Sequence, residues 1–129
     1  PSLGAEVAGR VLRVLAFTGK KVKRGELLAE IDPQDFEIQS RGDAAEIARL
    51  QSLLAQAERL VERQQKLVAQ GFISQNAVDD AMAQRNALRE SIAAARARAE
   101  QTRRNLGKTR VVAPIDGEVE VQIVAAGDY

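Results

Sequence analysis

The chain has 129 residues, enough for one domain or two small ones, and is 45% hydrophobic with only three Phe, one Tyr and no Trp. Much of that apolar content is alanine, which suits close helix packing better than a ligand pocket. Nineteen Lys and Arg against 18 Asp and Glu leave a net charge of +1, too small to gather nucleic acid or an anionic membrane. The absence of Cys and His removes thiol and imidazole nucleophiles, thiolate metal sites and disulfides.

In chain order, Leu3 to Leu15 reads as a β-prone stretch with imperfect alternation and a glycine that suggests a bend. Gly19 and Gly25 then bracket Lys20-Lys21-Val22-Lys23-Arg24, read as a basic, solvated turn. Leu27 to Ile31 is a second short strand, broken by Asp32-Pro33.

A long helix follows. Ile47, Leu50, Leu54, Ala57, Val61, Gln64 and Val68 recur at alternating spacings of four and three residues, and a neighbouring stripe of Leu53, Leu60 and Leu67 is expected to broaden the buried face. Gly42 is a local weakness of about 1 kcal/mol against alanine. Gly71 can take the left-handed conformation that closes this helix, and Ser74 can cap the next, with Ile73 and Val78 placed as a hydrophobic staple. After the turn, Val78, Ala81, Arg85, Leu88, Ile92, Ala95, Ala99, Thr102 and Leu106 repeat the pattern. Two rods of matched length, on the order of 50 Å each, joined by so short a turn, predict an antiparallel hairpin.

The end of the chain resembles its beginning. A displacement of 108 residues sets Leu3 on Val111, Ala5 on Ala113, Gly9 on Gly117, Val11 on Val119, Leu15 on Ile123 and Gly19 on Gly127. The expected fold is therefore α+β: a helical hairpin inserted between two halves of a β module. The divisions are 1–32 for the first half, 33–109 for the hairpin with its turn near 71–73, and 110–129 for a truncated second half. By the repeat, about ten residues of the second copy are absent, and the chain is expected to be a fragment. It holds no run of 18 or more apolar residues and no basic-then-apolar leader.

These pieces, in this order, resemble the periplasmic adaptor subunits, or membrane fusion proteins, of bacterial tripartite efflux systems of the resistance-nodulation-division type. Gly9-Arg-Val11 and Gly19-Lys-Lys-Val22-Lys-Arg-Gly25-Glu-Leu27-Leu28-Ala-Glu-Ile31-Asp32-Pro33 look like the first half of the family's biotinyl/lipoyl-like domain. Thr109-Arg-Val-Val-Ala113-Pro114-Ile-Asp116-Gly117-Glu-Val119 is similar to its second half. The branch of the family that meets TolC-type outer-membrane channels carries an Arg, a Leu four residues on and a Ser seven beyond that, and Arg63, Leu67 and Ser74 stand at those spacings. The resemblance implies that these three touch the channel while Gly71, Phe72 and Ile73 shape the turn. It further implies a periplasmic protein, anchored to the inner membrane by segments outside this chain. It also implies self-association into a ring, a hexamer, and an inner-membrane transporter as second partner, with no cofactor.

Local readings compete. Arg63 falls opposite Asp79 and Asp80 and could form a hairpin ion pair worth under about 1 kcal/mol if exposed, Leu67 could belong to the seam, and Ser74 could be an N-cap alone. The alternative functions are an adaptor of an ATP-driven exporter and, from another class, a biotin or lipoate carrier domain. The carrier would need a Lys on the turn between the β halves, where this chain has Ile31-Asp32-Pro33-Gln34. An enzyme is not expected, because the carboxylates lie among Arg on helix faces with no phosphate loop or ligand cluster.

Overall fold

A computed structural model describes residues 9–119. The elements are β1 (Val11–Val14), β2 (Lys21–Val22), β3 (Leu27–Ile31), α1 (Gln34–Ala69), α2 (Gln75–Lys108), β4 (Arg110–Val112) and β5 (Gly117–Glu118). They form two compact units, one from the described residues up to Gln39 and from Gln101 onward, the other from Ser40 to Glu100.

In the first unit β3 lies between β1 and β4, antiparallel to both, while β2 pairs antiparallel with β5. Both helices are thus inserted between two strands, β3 and β4, that are neighbours in one sheet. Ile31 donates its amide to the Thr109 carbonyl at 2.8 Å, and Glu30 stands opposite Arg110. The chain leaves the sheet at Asp32, whose carboxylate accepts the Gln34 amide at 3.0 Å, and the Pro33 carbonyl accepts the Glu37 amide as the first bond of α1. It returns at Thr109, which is buried and whose hydroxyl and amide both donate to the Leu106 carbonyl, at 2.6 and 3.2 Å.

The core of this unit draws on both ends of the chain: Ala16, Val22, Leu28 and Ala113 are buried together, with Val111 and Val119 packed against them. Main-chain bonds follow the same route. Gly25 donates to Ala113, Ala113 to Glu26, Gly19 to Val119 and Val119 to Lys20, at 2.7 to 3.0 Å, and the Asp116 carboxylate accepts the Arg24 amide at 2.6 Å.

Two sequence expectations change here. The basic stretch is not wholly a turn, because Lys21 and Val22 form β2 with Lys21 exposed and Val22 turned into the core; the partner strand that fixes them comes from the far end of the chain. The first β-prone stretch contributes only Val11–Val14 as strand, and its residues 3–8 lie outside the described range. Of the glycines aligned by the repeat, Gly9 packs so closely that a Cβ would come within 2.5 Å of the Ile31 side chain, whereas Gly117 faces open space. Most other pairs of that alignment, Leu15 with Ile123 and Gly19 with Gly127 among them, have a member outside the described residues.

In the second unit the 3-4 pattern does what the sequence predicts. Leu50, Ile92 and Ala95 form a buried cluster with Ile47, Leu54 and Leu88 against it, and Ala57, Val61, Val78 and Ala81 continue the seam toward the turn. Glu58 meets Arg89 across the helices at 3.5 Å, so residue numbers rise on one helix as they fall on the other: the pair is antiparallel. The second stripe departs from expectation. Leu53 is 37% exposed, and Leu60 and Leu67 are only half-buried, because two helices meet along one line and a stripe beside that line stays at its margin. Among the described residues no helix is long and apolar enough to cross a membrane.

Candidate docking surface on the helical hairpin

The turn between the helices is closed by main-chain geometry. Gly71 has φ of 81°, in the left-handed region where a side chain would be strained. Its amide donates to the Val68 carbonyl and the Phe72 amide to the Leu67 carbonyl, both at 2.9 Å. This pair of bonds is the Schellman closure, which satisfies two of the orphan carbonyls at the end of α1. The consequence is an exit direction that leaves Phe72 71% exposed, the most solvent-open of the large apolar side chains described.

Ser74 occupies the N-cap position of α2, immediately before Gln75. The bond found there is main-chain, the Ala77 amide donating to the Ser74 carbonyl at 3.2 Å. Ile73 is half-buried and Val78 buried, in the N′ and N4 places of a staple. Gln75 donates to the Asp79 carboxylate at 3.2 Å, one turn along α2.

Arg63 and Leu67 lie one turn apart on α1. Arg63 is exposed and, among the described residues, forms no salt bridge, so the ion pair with Asp79 or Asp80 that the sequence permits is not made. Other charges on the same helix are engaged: Lys66 meets Glu62 at 3.4 Å, and Arg49 donates two bonds to Glu46, at 2.7 and 3.1 Å. Those Arg49 bonds are the main reason that the Glu46 carboxyl is held below its ordinary pKa. Leu67 is half-buried, on the stripe beside the seam.

The structure therefore brings the six expected residues into one region. It adds a feature that the sequence reading assigned to the buried face. Below the tip, Leu53, Ala57, Leu60, Ala87 and Leu88, together with the polar Gln56, Arg63, Gln84 and Ser91, line an open groove of about 480 Å³. Its sequence signal was present, a leucine every seven residues displaced from the seam.

The family model for the RND MFP barrel-sandwich hybrid domain, that of membrane fusion proteins, matches residues 2–129. The multidrug resistance protein MdtA of Yersinia pestis (strain Pestoides F) is 36% identical over 119 residues, which cover 92% of this chain and 27% of that protein. MdtA of Pantoea ananatis (strain AJ13355) is 33% identical over 125 residues, 97% of this chain and 30% of that protein. The chain thus spans less than a third of these relatives. Among solved structures, MacA from Actinobacillus actinomycetemcomitans superimposes with a TM-score of 0.76 at 28% identity, covering 98% of this chain and 43% of that one. The membrane fusion protein Spr0693 from Streptococcus pneumoniae R6 shares the fold at 20% identity, with a TM-score of 0.69 over 88% of this chain and 48% of that one. The chain belongs to the RND membrane fusion proteins and carries their barrel-sandwich hybrid domain.

Proposed function

We propose that this chain is the hairpin-bearing part of a periplasmic adaptor that links an inner-membrane efflux transporter to a TolC-type outer-membrane channel. The tip of the hairpin docks the channel. Residues 1–32 and 110–129 are the halves of a lipoyl-like module and 33–109 the docking arm. The adaptor is anchored to the inner membrane by segments outside these residues, and copies assemble as a hexameric ring. It performs no chemistry of its own; the transporter supplies the energy. The family match favours a resistance-nodulation-division transporter over an ATP-driven one, and the multidrug resistance proteins among the relatives favour drugs as cargo.

The observation that carries the reading is Arg63, an exposed guanidinium with no ion partner among the described residues. An arginine fork is suited to a carboxylate or helix-end carbonyl on another protein. Around it, Leu67 offers an apolar knob to a partner helix, Phe72 and Ile73 give apolar surface on a turn fixed by Gly71, and Ser74 presents a hydroxyl at the N-cap. Charge reversal tests it. In the full-length protein Arg63→Asp should abolish co-purification with the channel and drug resistance in cells while leaving thermal unfolding almost unchanged, since no internal ion pair is lost. Normal assembly together with a large loss of helix stability would assign Arg63 to the hairpin instead.

A further inference from the structure

The chain has three phenylalanines, and the structure uses them differently. Phe36 is half-buried in the first turn of α1. Phe17 is 64% exposed, but the Lys20 ammonium sits 5.9 Å from the centre of its ring. Phe72 is more exposed still and, among the described residues, has neither a cation over its ring nor a second ring against it. A single exposed apolar side chain is ordinary on a protein surface. What sets Phe72 apart is the main chain beneath it. Its amide is bonded to the Leu67 carbonyl, the preceding Gly71 is held in the left-handed conformation, and the following Ile73 is half-buried. The ring therefore stands at the end of the hairpin on main chain that is already ordered, so binding costs little backbone entropy there. Gln70, Ser74 and Gln75, all exposed, surround it with polar groups. An aromatic anchor inside a polar rim is the composition of an interface hot spot.

We propose that Phe72 is the residue by which the adaptor selects its channel: the ring enters an apolar socket between helix ends of the channel, and the shape of that socket decides which channel is accepted. The inference rests on the docking reading above and names the feature that the partner must carry. The occupant is the channel because Phe72 lies between Leu67, to which its amide is bonded, and Ser74, two residues on, both assigned to that contact. Arg63 cannot select in this way. A guanidinium on a long, flexible stem finds a carboxylate or a carbonyl over a wide range of positions. A ring on fixed main chain, with two side-chain torsions, needs a cavity of its own shape at one place. A channel with polar groups there would have them covered and left unpaired, which is a penalty against the wrong partner as well as a gain for the right one. The two contributions also differ in kind, since the apolar one survives added salt and the ionic one is screened by it.

The test measures binding of the full-length protein to a panel of purified TolC-type channels at low and high salt. Phe72→Ala should weaken binding to the preferred channel about 30-fold, the scale of a hot spot, at both salt concentrations. Phe72→Leu should lose less, and Phe72→Lys should leave no measurable binding. Across the panel, Phe72→Ala should bring the affinities for different channels close together. Arg63→Ala should instead weaken all of them, by a factor that shrinks as salt rises. Thermal unfolding should be unchanged by every one of these substitutions at exposed positions. Phe72→Ala binding as tightly as the unchanged protein, while Arg63→Ala fails, overturns the role of Phe72 and leaves docking at the tip. An equal loss for every channel overturns selection. No effect of either substitution overturns the docking reading itself. A lower native mass, or lost sedimentation with phosphatidylglycerol vesicles, for Phe72→Ala at unchanged channel affinity overturns the proposal in favour of a second copy or a lipid surface.

Discussion

The β unit is drawn from valine- and glycine-rich chain and the hairpin from alanine-rich chain, and the two are held together differently. In the β unit the long-range bonds are main-chain: the first and last parts of the described chain exchange amide and carbonyl partners at Gly19, Gly25, Ala113 and Val119. Most of those bonds are indifferent to side-chain identity, so the surface there is free to vary, provided that the few buried residues keep their size. In the hairpin the main-chain bonds lie within each helix or close the turn at Gly71 and Phe72, and side chains join one helix to the other along the seam. Seam residues thus fix its stability, while its outer faces are open for recognition. A charge on the outer face can stand without an ion pair at little cost to the fold, as Arg63 does among the described residues.

The largest effect is expected from opening each core by the same change. Leu28→Ala in the β unit and Leu50→Ala in the hairpin both remove a buried leucine, and each should cost about 2–5 kcal/mol. Native-state hydrogen exchange should separate them. Leu50→Ala is expected to speed exchange along Ser40–Glu100 while sparing the amides of Gly25 and Ala113, and Leu28→Ala should do the reverse. Uniform acceleration in both variants would mean that the two units unfold as one.

The sequence made the hairpin far more legible than the β unit, for a physical reason. Helical order is local, so a spacing of three and four residues identified Leu50, Ala57, Val61, Ile92 and Ala95 as seam directly, and Gly71 declared the turn. Strand pairing is not local. Lys21 and Val22 are strand only because Gly117 and Glu118 lie beside them, and nothing within ten residues of Val22 reports that. The stripe of Leu53, Leu60 and Leu67 was visible but misassigned, because periodicity shows that residues share a face and not whether two helices are enough to cover it. Arg63 was legible as a candidate by its spacing to Leu67 and Ser74; its freedom from Asp79 and Asp80 required the structure.

A smaller effect sharpens the account of the tip. Gly71→Ala forces a Cβ into the left-handed region, at a cost of roughly 1–2 kcal/mol, although no neighbouring atom stands within 4 Å of that Cβ. The penalty is thus conformational rather than steric, and a lower urea midpoint with an unchanged helical spectrum is expected. Gly71→Asn, which tolerates this conformation better, should recover part of the loss. If both variants cost the same, the turn is held by something other than the backbone preference at Gly71.

The smallest expected effect concerns charge on the β unit, where side chains should matter least. Glu30 accepts a bond from Arg13 at 2.9 Å on one side and has Arg110 at 3.7 Å on the other, so one carboxylate joins β1, β3 and β4. The Arg13 bond, reinforced by the charges of Arg13 and Arg110 against a partial loss of hydration, holds its pKa below the ordinary carboxylate value. A depressed pKa means that the folded state favours the ionised form more than the unfolded chain does. Its contribution to stability is therefore fully present above the unfolded pKa and is lost as pH falls through the lower folded value. Comparing urea midpoints of the unchanged protein and Glu30→Gln should show a small gap at neutral pH that closes on acidification below the ordinary carboxylate range. Added salt should narrow it too, since the three side chains are partly open to solvent. A gap at neutral pH as large as that of Leu28→Ala would show that side-chain charge, and not the main-chain exchange across the insertion, holds the β unit together.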